Sequence, residues 1–216
     1  MRIVSPSAEL IAFTPNPIAL IERAGRVCYK SEERITETSA SAFVKKLIAS
    51  GHLSVLEHAT ATFHLVCDRG VSHELVRHRI ASFSQESTRY CNYGKGDVAF
   101  VVPCGYSRNV PPGVYNSTDG HMTDTFPADV WFRSMLGAEE DYKRLLKLGQ
   151  PPQLARSVLP NSLKTEVVIT ANFREWRLIL QQRTSSKAHP DMQCLMALVK
   201  KQLVERFAAA FEDLAT

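Results

Sequence analysis

The residue types best suited to binding and chemistry are concentrated in one run, "RHRIASFSQESTRY", at positions 77 to 90. It holds three arginines, a histidine and several hydroxyl or amide side chains, and its only acid is Glu86. Two guanidinium groups about 6 Å apart repel each other by roughly 3 kcal/mol at an effective dielectric of about 20. Water relieves that repulsion if the segment is an exposed basic turn, and a bound anion relieves it if the segment is buried.

Three apolar residues, Ile80, Ala81 and Phe83, are interspersed among the polar ones and favour a half-buried segment. Uncompensated charge in such a place is costly unless a ligand supplies the opposite charge. Arginine binds phosphate through paired, charge-assisted hydrogen bonds, and serine hydroxyls can bind the remaining oxygens. Gln85 can bind the amide-like edge of a pyrimidine. We interpret the segment as an anion pocket with one side that recognises a base.

Two further arginines lie in apolar surroundings far along the chain. In "NFREWRLILQQR", positions 172 to 183, Arg183 continues the apolar helical face of Trp176, Ile179 and Leu180. On helix geometry alone, an arginine at a helix end that extends into solvent is the commoner explanation. Arg156 stands in "LARSVLP", an apolar segment flanked by prolines. Two such arginines, added to the basic cluster at 77 to 90, predict a shared anionic ligand.

Other familiar site motifs are absent from the sequence, and no metal is expected. In "HELVRH" the two histidines, His73 and His78, are one residue too far apart for a zinc helix, since five residues turn an α-helix by about 140°. There is no GxSxG nucleophile motif, and no glycine-rich loop of the dinucleotide or triphosphate type. A cofactor, if present, must therefore be held by side chains.

The elements that must position these residues follow from periodicity and from turn residues. Helices are predicted at 17–29, 39–51, 71–78, 127–149, 172–183 and from 189 to the C-terminus, strands at 58–67, 97–102 and 163–171, and a long loop at 103–126. Asn172 and Glu175 form a capping pair at the start of one helix. Strands and helices do not alternate regularly, so we predict a single α+β domain over 1–216 with a mainly antiparallel sheet.

Composition is that of an ordinary globular protein. The 216 residues are 44% hydrophobic and 22% charged, with a net charge of +4 that permits an anionic partner without requiring a nucleic acid. No apolar run approaches the ~20 residues of a membrane span, and the N-terminus lacks a signal-peptide block. Five scattered cysteines are typical of reduced thiols. We therefore expect a cytoplasmic protein without membrane contact.

Several segments together resemble the flavin-dependent thymidylate synthase family. An RHR triplet, seven residues and then Ser87 match its signature. "GHLSVLEH" is similar to the family's flavin-contact segment, "ARSVLP" to its phosphate-binding segment, and "ANFREW" to its asparagine-x-arginine flavin contact. Arg183 matches the arginine that activates the pyrimidine. The resemblance covers roughly residues 24–92 and 154–195.

The resemblance implies a central, mostly antiparallel sheet flanked by helices, and a homotetramer whose active sites are shared between subunits. It implies the conversion of dUMP to dTMP. 5,10-Methylenetetrahydrofolate would donate the carbon, and NADPH would reduce the FAD that supplies the hydride. Such an enzyme needs no cysteine nucleophile.

The resemblance also assigns roles to residues. Arg183 would be catalytic, stabilising negative charge as the pyrimidine N3 loses its proton. The residues implied for dUMP are Glu74, Arg77, Gln85, Ser87, Thr88, Arg89, Arg156 and Arg183. Those implied for FAD are Ser54, Arg77, His78, Arg79, Gln85, Asn172, Arg174 and Leu178. Leu178 stands where some members of the family have a polar residue that contacts flavin. Gln85 stands where some members have a glutamate.

Two alternatives stay open at this point. A nucleic-acid-binding module would use the basic cluster on phosphates, and it predicts basic residues spread over one surface with exposed aromatic rings. A flavoprotein that methylates another pyrimidine would share most of the motifs, and only substrate competition would separate it from a thymidylate synthase.

Overall fold

The structure is a computed structural model that describes residues 1–116 and 125–214. Its contacts group the chain into two compact units that interleave along the sequence. Unit 1 comprises Met1–Ser7, Leu65–Arg77 and Ser84–Val167, and unit 2 comprises Ala8–His64, His78–Phe83 and Val168–Thr216. A single functional domain over 1–216 stays a prediction.

The helices and strands have the following bounds. The strands are β1 Arg2–Val4, β2 Ser7–Phe13, β3 Thr60–Asp68, β4 Ala81–Gln85, β5 Ala99–Val101, β6 Gly113–Val114 and β7 Lys164–Asn172. The helices are α1 Pro17–Val27, α2 Ser39–Ala49, α3 Arg69–Leu75, α4 Pro127–Lys147, α5 Pro152–Ala155, α6 Phe173–Arg183, α7 Pro190–Arg206 and α8 Ala208–Phe211.

The larger sheet has four strands in the order β2-β3-β7-β4. Thr62 and Thr170 share a hydroxyl hydrogen bond of 2.9 Å, and the Phe173 N–H donates to the Ala59 carbonyl at 2.8 Å. Moving forward along β3 thus means moving backward along β7, so the two strands are antiparallel. On both strands every second side chain is buried, which gives the sheet one apolar face. The α+β class with an antiparallel sheet is confirmed.

Unit 1 also contains a three-stranded sheet in the order β5-β1-β6, in which β1 is parallel to β5 and antiparallel to β6. Its core joins strand residues Ile3 and Phe100 to Phe132 and Tyr142 of α4. These four side chains are at most 1% exposed. This apolar contact holds helix α4 against the sheet. The buried residues of α4 recur at helical spacing, so they form one continuous face along the helix.

Unit 2 is organised around α6. Trp176 packs edge-on against Phe63 with ring centroids 5.1 Å apart, and its indole N–H donates to the Ala61 carbonyl at 2.9 Å. Phe173, at the start of α6, contacts Phe207 and Phe211 near the C-terminus. The direction of α6 is therefore fixed by aromatic packing at its first turn.

Most predicted elements are confirmed, with ends shifted by a few residues. The capping pair is also confirmed, since the Asn172 side chain accepts from the Glu175 N–H at 2.8 Å. Four strands were missed: β1, β2, β4 and β6. Strand β6 lies inside the predicted loop 103–126, of which residues 117–124 are outside the described part of the chain.

One expectation is met in part and another is corrected. The segment at 77 to 90 is half-buried only in part: Ala81 and Phe83 are partly buried, whereas Ile80 is 69% exposed and the three arginines are exposed. Ile80 and the arginines lie outside β4, an edge strand whose own side chains alternate between partly buried and exposed. Cys28, Cys67 and Cys91 are free thiols as expected, whereas Cys104 and Cys194 are disulfide-bonded.

Within the described residues, no helix is both long and apolar enough to cross a lipid bilayer. In the same part of the chain, no group of three or more His, Cys, Asp and Glu side chains is arranged to hold a metal ion.

Candidate active site

Arg156 connects the end of α5 to the segment at 77 to 90. Its Nη1 donates to the Thr88 hydroxyl at 2.8 Å, and Thr88 is only 6% exposed. Thr88 lies in a turn in which the Ser87 carbonyl accepts from the N–H groups of Tyr90 and Cys91. The apolar segment around Arg156 packs through Ala155, which is fully buried, and this leaves the guanidinium at the surface beside the turn.

A groove of about 500 Å³ in unit 1 surrounds this contact. Its polar lining includes Arg69, His73, Thr88, Arg156 and Ser157. Two guanidinium groups beside two hydroxyls form a donor set suited to a phosphate group. Sequence reasoning missed Arg69 and His73 as lining residues. The sequence presents His73 only as part of a motif that fails as a zinc site. Arg69 is held at the groove because its backbone N–H donates to the carbonyl of Asn161, and the residues around Arg69 give no indication of a contact with so distant a position.

Glu86, the one acid of the segment, does not balance its arginines. Its carboxylate accepts from Lys164 Nζ at 3.1 Å and from the Tyr93 hydroxyl at 2.9 Å. Burial, the largest influence, lowers the pKa of Lys164, but hydrogen bonds to Glu166 and Glu86 outweigh it and the net shift is upward. Burial and the neighbouring Glu86 carboxylate raise the pKa of Tyr93. This network fixes the turn and keeps the acid's charge paired with Lys164.

The amide of Gln85 has a defined orientation. Its Nε2 donates to the Ser72 hydroxyl at 2.8 Å and to the Thr165 hydroxyl at 3.2 Å. The Ser72 hydroxyl itself donates to the Arg69 carbonyl, so towards Gln85 it can only accept. The amide nitrogen is therefore held by the protein, and the carbonyl oxygen Oε1 is the end suited to accept a hydrogen bond from a ligand.

In unit 2, Arg183 lies against the histidine of the RHR triplet. Its Nε donates to His78 Nε2 at 3.0 Å, and His78 Nδ1 lies 3.5 Å from Oε1 of Glu175. His78 is 6% exposed and Glu175 is 5% exposed. Burial and the positive charge of Arg183 lower the pKa of His78, and burial raises the pKa of Glu175. Arg183 ends α6 and is half-buried rather than extended into solvent.

A second groove, of about 400 Å³, runs along α6 in unit 2. Its lining includes three of the residues implied for FAD, Asn172, Arg174 and Leu178, together with Ile80 and the two acids Glu57 and Glu175. Leu178 is 42% exposed and Ile80 is 69% exposed, so the groove offers bare apolar surface beside the Arg174 guanidinium. Apolar surface with a few convergent donors fits part of a flavin dinucleotide, whose ring is flat and whose phosphates are anionic.

The structure thus places the predicted residues in two groups. Arg156 joins Thr88 in unit 1, while Arg183 joins His78 and the α6 groove gathers further residues in unit 2. Arg174 is exposed and paired with Glu57 at 2.6 Å. Gln85, His78 and Arg183 line neither groove, and the same holds for the remaining predicted residues, Ser54, Glu74, Arg77, Arg79, Ser87 and Arg89. Glu175 was missed as a site residue because its capping role explained it.

The sequence and the fold are similar to those of known proteins. Residues 9–207 match the family model described as "Thymidylate synthase complementing protein". The flavin-dependent thymidylate synthase of Geobacter sulfurreducens is 35% identical over 193 residues, which are 86% of this chain and 77% of the relative.

Two solved structures are also similar. Thymidylate Synthase X from Helicobacter pylori, determined with FAD and dUMP, is 27% identical with a TM-score of 0.75, over 97% of this chain and 98% of that one. The UMP/dUMP methylase PolB from Streptomyces cacaoi, bound with 5-Br dUMP, is 26% identical with a TM-score of 0.77, over 98% and 96%.

Proposed function

The chain belongs to the flavin-dependent thymidylate synthase family, and we propose that it is an FAD-dependent methyltransferase that converts dUMP to dTMP. 5,10-Methylenetetrahydrofolate is the carbon donor and NADPH the reductant in this proposal. One observation carries it beyond family membership. Arg156 and Arg183, which are far apart in sequence, hydrogen-bond to Thr88 and His78 of the signature segment.

The dUMP phosphate and sugar are assigned to Arg77, Ser87, Arg89 and Arg156, with Glu74 and Thr88 beside them. This is supported by the donor chemistry of the unit 1 groove, which contains Arg156 and Thr88. The uracil ring is assigned to Gln85 and Arg183. Since the Gln85 amide nitrogen is held by Ser72 and Thr165, its carbonyl oxygen can accept from the N3–H of uracil. Cytosine has no hydrogen at N3, so this contact favours uracil.

Arg183 is the proposed catalytic residue. A fixed positive charge beside the pyrimidine stabilises the negative charge that develops as N3 loses its proton. A guanidinium group stays protonated at any physiological pH, so it acts as an electrostatic stabiliser and not as a base. Its Nε edge is held by His78, which restricts the directions in which the other nitrogens can point.

FAD is assigned to Ser54, Arg77, His78, Arg79, Gln85, Asn172, Arg174 and Leu178. When bound, the reduced flavin supplies the hydride that completes the methyl group. The protein's part is to hold the ring against the apolar surface of Leu178 and Ile80 and to place donors such as Arg174 near the anionic portion. Both ring nitrogens of His78 already face protein groups, so its proposed contact with flavin uses the backbone or the ring face.

The proposal includes a homotetramer with active sites shared between subunits, a cytoplasmic location and no nucleic-acid partner. The family resemblance supports the assembly.

The decisive experiment follows the colour and the product. The purified protein is expected to be yellow, to bleach with NADPH, and to recover its spectrum when methylenetetrahydrofolate and dUMP are added together, with dTMP formed in proportion. A colourless protein that gains no spectrum on incubation with FAD, or a flavoprotein that forms no dTMP, would contradict the proposal. A steep salt dependence of nucleic-acid binding without flavin would instead favour the nucleic-acid-binding alternative.

A second candidate is methylation of another uracil nucleotide, and the similarity to the UMP/dUMP methylase PolB favours it. The two candidates differ in the sugar, because UMP carries a 2′-hydroxyl. Competition between dUMP and UMP in one assay separates them. We expect dUMP to be preferred, because the 35% identical relative is a thymidylate synthase. A preference for UMP would reverse the assignment.

A further inference from the structure

Glu175 is a buried carboxylate for which the proposed reaction has so far given no role. Only 5% of the residue is exposed, and Oε1 lies 3.5 Å from His78 Nδ1. Its backbone N–H donates to the capping side chain of Asn172, and this contact needs no particular side chain at position 175. Burying a carboxylate costs free energy. The capping contact at the start of α6 therefore does not explain why residue 175 is a glutamate.

The neighbouring contacts determine where the imidazole proton must be. Arg183 Nε carries a hydrogen and has no lone pair, so in its contact with His78 Nε2 it can only donate. His78 Nε2 must therefore be unprotonated. In the neutral ring the proton is then on Nδ1, which faces the Glu175 carboxylate.

We propose that Glu175 is a positioning residue that acts through His78 on Arg183. The carboxylate accepts from Nδ1–H and so selects the tautomer whose Nε2 lone pair can hold the Arg183 Nε. The inference rests on the proposed function only in that it gives Arg183 its catalytic role. The contact chain from Glu175 to His78 to Arg183 is a property of the folded protein.

Losing the carboxylate has a defined structural consequence. Without an acceptor at Nδ1 the ring is free to carry its proton on Nε2, and that N–H would then oppose the Arg183 Nε–H. Two facing donors repel each other, so Arg183 would turn away and the direction of its charge would no longer be fixed. The low pKa of His78 agrees with this picture, since burial and Arg183 both keep the ring neutral.

The test compares Glu175→Gln, which keeps an acceptor without the charge, with Glu175→Met, which keeps the length without an acceptor. Glu205→Gln, on the exposed side of α7, is the matched control. In the yellow holoprotein, nitrogen NMR of ¹⁵N-labelled histidine reports the tautomer of His78, and a His78→Asn variant identifies its signals. Flavin content and Tm are measured for every variant.

We expect the wild type, Glu205→Gln and Glu175→Gln to show His78 protonated on Nδ1, and Glu175→Met to lose that state. Glu175→Met should lower kcat about 10- to 100-fold with a smaller change in the KM for dUMP, as for loss of a group that orients a functional side chain. The decrease in kcat should be smaller for Glu175→Gln.

An unchanged His78 tautomer in Glu175→Met would overturn the inference, and so would equal losses of kcat in the methionine and glutamine variants. If Glu175→Met fails to fold, the tautomer of the wild type and of Glu175→Gln still decides the matter, because a proton on Nε2 in either contradicts the assignment. The NMR result is independent of dTMP formation, so failure of this inference is distinguishable from failure of the proposed function.

Discussion

At the scale of single residues, the arginines of the candidate site differ in how firmly they are held. Arg156 and Arg183 each donate to a buried partner, Thr88 and His78 respectively. Arg89 is exposed and lies over the ring of Tyr90 at 5.5 Å from its centroid. A side chain held by a buried acceptor is oriented before a ligand arrives, which lowers the entropy lost on binding. The two distant arginines are therefore the best placed to determine ligand orientation.

Arg183→Ala is expected to lower kcat by about 10²- to 10³-fold, because a charge aimed at the developing anion is removed. The protein should still fold and keep its flavin, since the core face of α6 is formed by Trp176, Ile179 and Leu180. Steady-state kinetics and the flavin absorbance check this. Arg23→Ala, an exposed arginine of α1, is the control and should retain wild-type rates. Near-normal turnover in Arg183→Ala would show that its assigned role is wrong.

At the scale of elements, the first turn of α6 combines stability and binding. Asn172 caps the helix through Glu175 N–H, and its side chain also lines the groove assigned to flavin. Aromatic packing of Phe173 and Trp176 then sets the direction of the helix. One residue therefore contributes to two measurable properties, and substitutions can separate them.

Asn172→Ala should lower the free energy of unfolding by about 1 kcal/mol, which corresponds to a Tm lower by about 2 to 4 °C. Asn172→Ser keeps a capping oxygen but removes the amide, so it should keep most of the Tm and still bind less flavin. Thermal unfolding of the flavin-free protein and titration with FAD measure the two effects. Equal flavin affinity in the wild type and the serine variant would limit Asn172 to a capping role.

The end of the chain is attached to α6 by a charge pair. Arg177 Nη1, on a side chain that is 6% exposed, donates to Asp213 Oδ1 at 2.7 Å. Hydrogen bonding from Arg177, the largest influence, lowers the pKa of Asp213 below its usual 3.8, although burial opposes the shift. A carboxyl whose pKa is lowered by folding stabilises the fold above its unfolded pKa, and that contribution is lost as pH falls through the folded pKa.

Asp213→Asn should therefore lower Tm by about 2 °C near pH ~7, and the difference from wild type should shrink as pH falls below about 4. The estimate is small because the Asp213 side chain is 48% exposed and partly screened. Thermal unfolding across this pH range is the measurement, and Asp141→Asn, at an exposed position of α4, is the control. A difference that stays constant with pH would contradict the assigned pair.

At the scale of the whole molecule, the family match and the fold similarity extend over most of the chain, and the two grooves lie in different units. Residues 9–207 match the family model, and the fold is similar to solved structures along nearly its entire length. The groove with Arg156 lies in unit 1, and the groove along α6 lies in unit 2. In an assembly whose sites are shared between subunits, the Arg156 groove and the α6 groove that serve one site can come from different chains.

Mixing two inactive variants tests that sharing. Arg156→Ala and Arg183→Ala are each expected to have little activity alone. If one site takes Arg156 and Arg183 from different subunits, co-expressed mixed tetramers contain some sites with both arginines intact, and part of the activity returns. Light scattering tests the proposed tetramer, and differential tags verify the mixing. Verified mixed tetramers without recovered activity would contradict the sharing of these two residues.

The sequence by itself determined the features that depend on neighbours along the chain. Helix periodicity and the Asn172 cap predicted α6, and the spacing of the RHR triplet and Ser87 predicted the family. The same local reasoning missed β4, because a five-residue strand inside a polar segment has a weak alternation signal. It also missed the contact of the Glu175 side chain with His78, because the position of Glu175 in the cap of α6 already accounted for a glutamate there.

Only the tertiary structure decided which groups meet. Arg156 and Thr88 are 68 positions apart, and Arg183 and His78 are 105 apart. Contacts at such separations are set by the path of the strands and by core packing, about which the spacing between the residues carries no information. The pairing of Glu86 with Lys164 is decided in the same way. Residue types thus defined the chemistry available to this protein, and the packing of β-strands and α6 selected which donors and acceptors face each other.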